Sequence, residues 1–496
     1  MTQEDQKLIN WIKSNISRET LLPLSFDIVE EQKDDVYARM GEPNEVSDII
    51  ERMIVEEGLV IYDGAVAQIV LAMLGGQGNI ELASVPIETY WEGQVGDLNN
   101  IRAGYPINEF IYDPDNPESV SSNLSEKGKR GFIFRIINAN GHYNTEDPLD
   151  GKTLFEGFPN WPTVHWEDWK PVAGENAWVA MAALHIYHNK YYDASTQSYK
   201  NDNNAIELQL AEELARAALI LQAENGGIRM APLGTYRNPA DCATPEEEEG
   251  AWWYHQISGE NNISWYSAFR MLYEVTKKEV YKKAMEDIEF YFQESFNDRE
   301  NYFYQGMHFI NGAWKPNDEH FALDVQTWAL TAFGPEKIDS WFGEGTSFAI
   351  WRTAKSLSGV HDAEGNLLGV GYIHEHDRLS VEWTAGAIFA ARRLSHYYET
   401  INDEWSYKAR YDAFTMRRGV EVLRSELSDT CAAYSYSSKR GWIPFGWFSH
   451  DPEVLSLSST GWILFVDSHY NPFFLPHKQN KEVKQFARTV YEEIGF

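Results

Sequence analysis

Carboxylates recur at the starts of helical segments along this chain of 496 residues. Each acid stands at or just before the first turn of a run with helical apolar spacing, and the five are Asp63, Glu175, Glu260, Asp324 and Glu382. A sixth start of this type, at 458–462, has hydroxyl residues in place of the acid. One such acid alone is most often a helix cap, which stabilises by about 0.3–1 kcal/mol. Six repetitions instead indicate six helices that begin on one face, where their acids converge.

Converging carboxylates are suited to acid–base chemistry. Each raises the pKa of its neighbours, so that one can remain protonated near neutral pH and act as a general acid. Two carboxyl groups of this kind cleave a glycosidic bond when one protonates the leaving oxygen and the other activates water or attacks the anomeric carbon. The five acids are therefore candidates for such a pair.

Aromatic and amide side chains near these acids are suited to binding sugars. The chain has 18 Trp, 27 Tyr and 25 Phe, more than a helical core needs, and several lie in loops. The predicted stacking platforms are Trp178, Trp252, Trp253, Tyr254, Tyr372 and Trp383. The predicted hydrogen-bonding residues are Asn176, Asn261, Gln326 and His374. Trp178 and Trp383 lie inside helical runs, so core packing explains them equally well.

Composition excludes several classes of partner. The formal net charge of −33 opposes binding to nucleic acid or an anionic membrane, because affinity for nucleic acid comes largely from neutralising phosphates. No apolar run reaches the roughly 18–20 residues that a membrane span needs. The two cysteines form no disulfide framework, and the cluster at 374–377 lacks a third metal ligand. We expect a neutral oligo- or polysaccharide substrate and no metal or cofactor. With no leader visible we expect a cytoplasmic location, or a secreted or periplasmic one if a leader has been removed.

Helical segments come in pairs after about residue 60. The pairs begin near residues 63 and 79, 175 and 205, 261 and 278, 323 and 337, 382 and 406, and 457 and 480. The first helix of a pair is apolar on nearly all sides and the second is amphipathic, as inner and outer helices would be. This pattern predicts an (α/α)6 barrel over 61–496, an N-terminal helical extension over 1–60, and long functional loops on one face.

The order of these motifs resembles the six-hairpin glycosidase superfamily. The resemblance rests on Tyr-Asp at 62–63, Gly-Glu-Asn-Ala-Trp at 174–178, Glu-Asn-Asn at 260–262, Asp-Val-Gln-Thr-Trp at 324–328 and Glu-Trp-Thr-Ala-Gly at 382–386. It implies glycoside hydrolysis, most often with inversion. It makes Glu260 and Glu382 the first candidate catalytic pair, with Asp324 and Asp63 as the reserve candidates. The apolar neighbours of Glu382 favour it as the acid, with Glu260 as the base. The alternatives are a polysaccharide lyase, an epimerase that relies on paired histidines, and a non-catalytic carbohydrate-binding protein.

Overall fold

The computed structural model describes residues 2–18, 20–40, 46–95, 131–133, 135–139, 165–168, 172–200, 204–231 and 253–479. Within these ranges the chain forms mainly α-helices. They are α1 Gln3–Ser14, α2 Lys33–Met40, α3 Val46–Glu57, α4 Ile61–Leu74, α5 Gln77–Val95, α6 Ala173–Tyr191, α7 Ile206–Ile220, α8 Gly259–Thr276, α9 Glu279–Glu294, α10 Leu323–Ala332, α11 Pro335–Phe342, α12 Thr346–Ser358, α13 Val381–Tyr398, α14 Asp403–Gly419 and α15 Leu457–Asp467.

The strands are short and lie in the connections between helices. They are β1 Phe26–Ile28, β2 Gly58–Val60, β3 Ile136–Asn138, β4 His165–Asp168, β5 Tyr192–Asp193, β6 Ser198–Tyr199, β7 Gln256–Ser258, β8 Phe296–Asn297, β9 Tyr302–Phe303, β10 Gly306–Ile310, β11 Ala313–Asn317, β12 Gly359–His361, β13 Leu367–Val370, β14 Arg424–Ser428, β15 Cys431–Tyr434, β16 Trp442–Ile443, β17 Trp447–Phe448 and β18 Val454–Ser456. Antiparallel sheets include β2–β3–β4 and β11–β10–β7, with Gly306 opposite Ser258.

The described residues divide into two compact units. The first unit comprises residues from 12–294 and 306–317, and the second comprises those from 1–11, 295–305 and 318 onwards. The boundary that the sequence suggests at residue 60 remains a prediction. None of the described helices combines the length and apolarity that crossing a membrane requires.

Three helical hairpins form the body of the first unit. In each, a largely buried helix (α4, α6 or α8) packs against the helix that follows it, and α6 packs between α4 and α8. Helix α4 is buried on almost all sides, and Ala65, Ala67 and Ala72 let neighbouring helices approach it. Burial on all sides is what the sequence predicts for an inner helix.

The second unit repeats this arrangement. Helix α13 packs between α10 and α15, and α14 packs on the outside of α13. Close approach of α10 and α13 depends on Gly386, where a Cβ atom would lie 2.9 Å from Nε1 of Trp328. The second helix of the α10 hairpin is split into α11 and α12 at Gly343, whose φ of 107° favours glycine.

The observed helix starts confirm the predicted pairs. Helices α4, α6, α8, α10, α13 and α15 begin within two residues of the predicted first helices. The return helices α5, α7, α9, α11 and α14 begin within about three residues of their predicted positions. The return helix predicted near residue 480 lies outside the described residues.

Candidate functional site

A polar side chain at the fourth residue of five inner helices binds the backbone of a preceding segment. We call these five residues the polar clamp: Asn176, Asn262, Gln326, Thr384 and Thr460. Their backbone partners are, in the same order, Ile133, Ile228, Phe303, Val370 and Tyr434. The clamp joins the start of each of these five inner helices to the connection before it. It therefore fixes the positions of the helix starts, which are the segments that carry the acids.

The amides of the clamp make complete sets of hydrogen bonds. Asn176 Nδ2 donates to Ile133 O at 3.0 Å and to Val172 O at 2.8 Å, and its Oδ1 accepts from Ile133 N at 2.9 Å. Gln326 does the same with Phe303 at 2.7 and 2.8 Å. Both side chains are fully buried. The sequence predicts substrate contact for Asn176 and Gln326. Both amide hydrogens of each side chain are instead donated to backbone carbonyls, so neither buried amide has a hydrogen left to donate to a sugar, and both residues hold the backbone.

The acids occupy two different positions relative to the clamp. Glu260, Asp324 and Glu382 are the second residues of α8, α10 and α13, whereas Asp63 and Glu175 are the third residues of α4 and α6. Successive residues of a helix project about 100° apart, so these two groups of acids leave their helices in different directions. All but Glu175 and Glu260 are buried below one tenth exposure.

In the first unit, the starts of α6 and α8 meet at Gly174. A Cβ atom at residue 174 would lie 2.1 Å from Oδ1 of Asn261 and 3.1 Å from Oε2 of Glu260. Glu260 also accepts a hydrogen bond of 3.0 Å from Ser264 Oγ. The absence of a side chain at residue 174 is therefore what allows Glu260 and Asn261 to extend over the start of α6.

Asn261 has a buried amide nitrogen without a hydrogen-bond partner in the part of the chain that the structure describes. Its side chain is 4% exposed, and Nδ2 is the orphaned atom. A buried donor left unpaired costs about 1–3 kcal/mol, and a ligand hydroxyl is one group that would satisfy it. Asn261 therefore remains a candidate sugar contact, now with a named atom.

One cation lies beside the acids of the first unit. Arg135 forms an ion pair of 3.1 Å with Glu175, and both side chains are largely shielded from solvent. The backbone carbonyl of Arg135 also accepts from Ile61 N at the start of α4. Sequence spacing did not reveal this arginine, because it reaches the helix starts through the loop around β3.

In the second unit, Tyr372 joins the starts of α10 and α13. Its carbonyl accepts from Leu323 N at 3.1 Å, and its ring meets the ring of Trp383 at a centroid distance of 4.8 Å. Burial and the charge of Glu382 together raise the pKa of the Tyr372 phenol. Tyr372 thus places the second residues of the two helices, Asp324 and Glu382, at the same end of the pair.

Burial sets the protonation of Asp324. Removal from water raises the pKa of this carboxyl to about 7, although it accepts a hydrogen bond of 2.8 Å from Val325 N. A carboxyl group with this pKa is substantially protonated at neutral pH and can donate its proton. The sequence neighbours of Glu382 favour that residue as the acid and leave Asp324 in reserve. Both carboxyl groups are buried, and the raised pKa of Asp324 favours Asp324 as the acid.

Four ring side chains in contact with one another extend from the start of α13, and we call them the aromatic wall. It consists of Trp383, Phe445, Trp447 and His320. The rings of Trp383 and Phe445 are nearly parallel, at 15° and 6.3 Å, and Trp447 lies 5.8 Å from Phe445. Trp383 itself is buried, whereas Phe445 and Trp447 are partly exposed, so the ring surface that this wall offers to a ligand comes from Phe445 and Trp447. The sequence motifs did not reveal either residue, although their loop at 430–456 is one of the long connections predicted to be functional.

The other predicted platforms have different surroundings. Trp178 and Tyr372 are entirely buried, which contradicts their role as stacking surfaces and makes them core residues. Arg229 covers one face of the Tyr254 ring at 4.2 Å, and the ring is 8% exposed. Trp253 is half-buried and remains a candidate, whereas Trp252 lies outside the described residues.

The histidines of the loop before α13 lie at the surface. His374 and His376 are at least partly exposed, with ring centroids 5.9 Å apart. The Nδ1 of His376 lies 2.9 Å from Gly359 O and must carry the hydrogen, since a carbonyl only accepts. Among the described residues, no group of three His, Cys, Asp or Glu side chains is arranged to hold a metal ion.

Solved structures resemble this chain over nearly its full length. No protein-family model matches the sequence, and no curated protein does. The cellobiose 2-epimerase of Bacillus thermoamylovorans matches with a TM-score of 0.55 at 10% identity, over 94% of this chain and 97% of that one. A sugar epimerase from a ruminal bacterium matches with a TM-score of 0.53 at 11% identity, over 94% and 98%. An inactive α-1,6-mannanase variant of Salegentibacter sp. HEL1_6, in complex with α-1,6-mannotetrose, matches with a TM-score of 0.47 at 10% identity, over 95% and 99%.

The two matches with TM-scores above 0.5 define the fold class. The chain is an all-α protein of the (α/α)6-barrel class, with six inner helix starts and no closed sheet in the residues described. At about 10% identity they establish the fold and leave the activity to the site residues.

Proposed function

We propose that this protein is a glycoside hydrolase of the six-hairpin type that acts on a neutral oligo- or polysaccharide. The observation that carries the proposal is the pair Asp324 and Glu382. These two buried acids occupy the same position at the starts of two adjacent inner helices, and burial raises the pKa of Asp324 to about 7.

The two acids have distinct roles in this mechanism. Protonated Asp324 donates its proton to the glycosidic oxygen as the bond to the anomeric carbon breaks. The Glu382 carboxylate removes a proton from the water that attacks the anomeric carbon. Packed helices have axes about 8–10 Å apart. This spacing favours carboxyl groups far enough apart to admit a water molecule, and hence inversion.

The aromatic wall supplies the binding surface for the sugar rings. Trp383 follows Glu382 directly in sequence, and Phe445 and Trp447 extend the ring surface outward from it. Aromatic rings contact the apolar faces of sugars without charge, which suits the neutral substrate that the net charge of −33 favours. Asn261 Nδ2, Trp253 and His374 are further proposed sugar contacts.

Glu260 and Asp63 remain proposed catalytic residues as well. Glu260 belongs to the first unit and Glu382 to the second, so the Glu260–Glu382 pair that the superfamily resemblance implies stays a prediction. Asp63 is buried at the third residue of α4 and is the second reserve. Substituting the acids one at a time distinguishes the Asp324–Glu382 pair from the Glu260–Glu382 pair.

Hydrolysis of a panel of neutral α- and β-glucans and mannans, and of their oligomers, tests the proposal. Asp324→Asn and Glu382→Gln should each lower turnover by about 10²–10⁴-fold while the fold is retained. Glu404→Gln is the matched control, because Glu404 is also the second residue of its helix, α14, but is exposed. If Glu260→Gln abolishes turnover and Asp324→Asn does not, the pair is Glu260 and Glu382, and Asp324 is not the general acid.

A sugar epimerase is the second candidate. Two structures with this fold and TM-scores above 0.5 are described as epimerases, and His374 and His376 are an adjacent histidine pair. Isotope labelling distinguishes hydrolysis from epimerisation. A hydrolase transfers one ¹⁸O from labelled water to a new reducing end, whereas an epimerase that exchanges the C2 proton takes up deuterium from D₂O and forms no new end. Deuterium uptake that is lost in His374→Asn or His376→Asn, without ¹⁸O incorporation, would replace the hydrolase proposal.

A further inference from the structure

Two tyrosines form an exposed aromatic pair on the outer helix α14. Tyr407 and Tyr411 are 66% and 45% exposed and stand one helical turn apart. Their rings are nearly parallel, with an interplanar angle of 20° and a centroid distance of 6.4 Å. The pair therefore presents aromatic ring surface to solvent.

A hydrogen bond fixes the orientation of one ring. The Tyr411 hydroxyl donates to Asn366 Oδ1 at 2.9 Å. Asn366 is held in turn, because its Nδ2 donates to Asp362 Oδ2 at 2.9 Å and its backbone N donates to Asp362 Oδ1 at 2.7 Å. The β12–β13 turn thus anchors Tyr411, and less conformational freedom remains to be lost when a ligand stacks on it.

Polar groups border the two rings. Asn366 and Asp362 lie at the Tyr411 edge, and the ion pair of Lys408 with Glu404 lies on the same helix. An apolar surface bordered by amide and carboxylate groups matches a sugar chain, whose rings have apolar faces and hydroxyl edges. It matches a purely apolar partner poorly, because these polar groups would lose water without gaining partners.

The size of the surface argues against a protein partner. A stable protein interface buries about 800 Å² on each side, whereas an aromatic side chain buries about 150–250 Å². Two partly exposed tyrosines fall well short of that area. The formal net charge of −33 also disfavours a second copy of the chain and any polyanion.

We propose that Tyr407 and Tyr411 form a surface site on α14 that binds a neutral polysaccharide chain. This inference rests on the proposed carbohydrate activity and adds a second contact with the polymeric form of the substrate. The second contact raises the effective concentration of the polymer at the enzyme and has no effect on oligomers too short to bridge both sites.

Native affinity electrophoresis tests the site. Gels contain soluble α-mannan, mixed-linkage β-glucan or soluble starch, and the proteins are Glu382→Gln alone and Glu382→Gln with Tyr407→Ala and Tyr411→Ala. One polymer should slow the parent variant, and loss of both rings should weaken that binding by about tenfold or more. Phe290→Ala in the same background is the control, since Phe290 is 52% exposed on α9.

Hydrolysis distinguishes failure of this site from failure of the proposed activity. With active protein, Tyr407→Ala/Tyr411→Ala should slow polymer turnover and leave turnover of short oligomers unchanged. If the unaltered protein hydrolyses no oligomer, the proposed activity fails. The gels test the surface site independently of that activity, because they measure binding alone. Equal retardation with and without the two rings, no retardation by any polymer, or a dimer that the substitutions dissociate would each overturn the surface site.

Discussion

At the scale of single residues, the protonation of Asp324 connects stability with chemistry. Burial raises its pKa from 3.8 to about 7, so between these values the folded protein holds a proton that the unfolded chain has released. The free energy of unfolding therefore falls as the pH rises from about 4 to about 7, by on the order of a few kcal/mol. The same burial that lowers the free energy of unfolding at neutral pH keeps Asp324 protonated, so that it can donate a proton.

Asp324→Asn should remove that pH dependence. We expect the variant to match the unaltered protein near pH 4 and to be more stable above pH 7, as measured by urea unfolding across this range. Asp429→Asn, at an exposed loop position, should change the free energy of unfolding by less than about 0.5 kcal/mol. A variant that gains no relative stability as the pH rises would show that Asp324 is ionised in the folded protein at neutral pH.

Activity should fall as the pH rises through about 7. The proposed acid loses its proton there, so kcat of the unaltered protein should decline on the alkaline side with the apparent pKa of Asp324. The measurement is kcat against pH on a cleaved oligosaccharide. A plateau that extends to pH 9 would exclude Asp324 as the general acid.

Gly174 is the residue on which the geometry around Glu260 depends. A methyl group there would meet Asn261 Oδ1 at 2.1 Å and Cγ at 2.7 Å, so Gly174→Ala should displace Asn261 and destabilise the protein by about 1–3 kcal/mol. Gly78→Ala is the control, because nothing lies within 4 Å of its Cβ position. Thermal unfolding measures both, and equal melting temperatures would contradict the close packing at residue 174.

At the scale of elements, the polar clamp explains how helix starts are held in register with the connections before them. Each clamp residue satisfies backbone groups that would otherwise be buried and unpaired, since these short strands cannot satisfy them within a large sheet. Thr384 shows that a hydroxyl serves as well as an amide: it accepts from Val370 N at 3.0 Å and lies 3.4 Å from Val370 O. The clamp therefore connects the fold to the placement of the acids.

Asn262→Ala should test the clamp without touching an acid. It removes two buried bonds of 2.7 and 3.0 Å to the backbone of Ile228 and one partly buried bond of 2.8 Å to Ser258 O. We expect destabilisation of about 1–3 kcal/mol in chemical unfolding. Asn189→Ala, which removes one partly buried bond from an exposed residue to His185 O, should cost much less. Similar losses in the two variants would mean that the clamp adds nothing beyond an ordinary helix hydrogen bond.

At the scale of the whole molecule, net charge governs the response to salt. With a formal charge of −33, repulsion between carboxylates opposes the compact state. Raising the ionic strength from about 0.01 to 0.15 M shortens the screening length from about 30 to 8 Å. The melting temperature should therefore rise over this interval, as followed by circular dichroism. A fall would mean that favourable ion pairs outweigh the general repulsion.

The sequence by itself determined the fold class and the helix starts. Apolar residues spaced by the helical period mark which segments are helices, and this signal is local, so the starts of α4, α6, α8, α10, α13 and α15 can be predicted within two residues. The repeated acid in the first turn likewise marked Asp324 and Glu382. Predicting these features requires only the residues that are neighbours along the chain.

Tertiary structure alone decided what each side chain meets. Asn176 and Asn261 both follow an acid in similar motifs, yet Asn176 is bound to the backbone of Ile133, 43 residues away, while Asn261 keeps an orphaned Nδ2 among the described residues. The pKa of Asp324 and the contact of Trp383 with Phe445 likewise depend on burial and on segments distant in sequence. Local sequence patterns cannot predict such contacts, because the folded structure determines which groups lose water and which groups they bind.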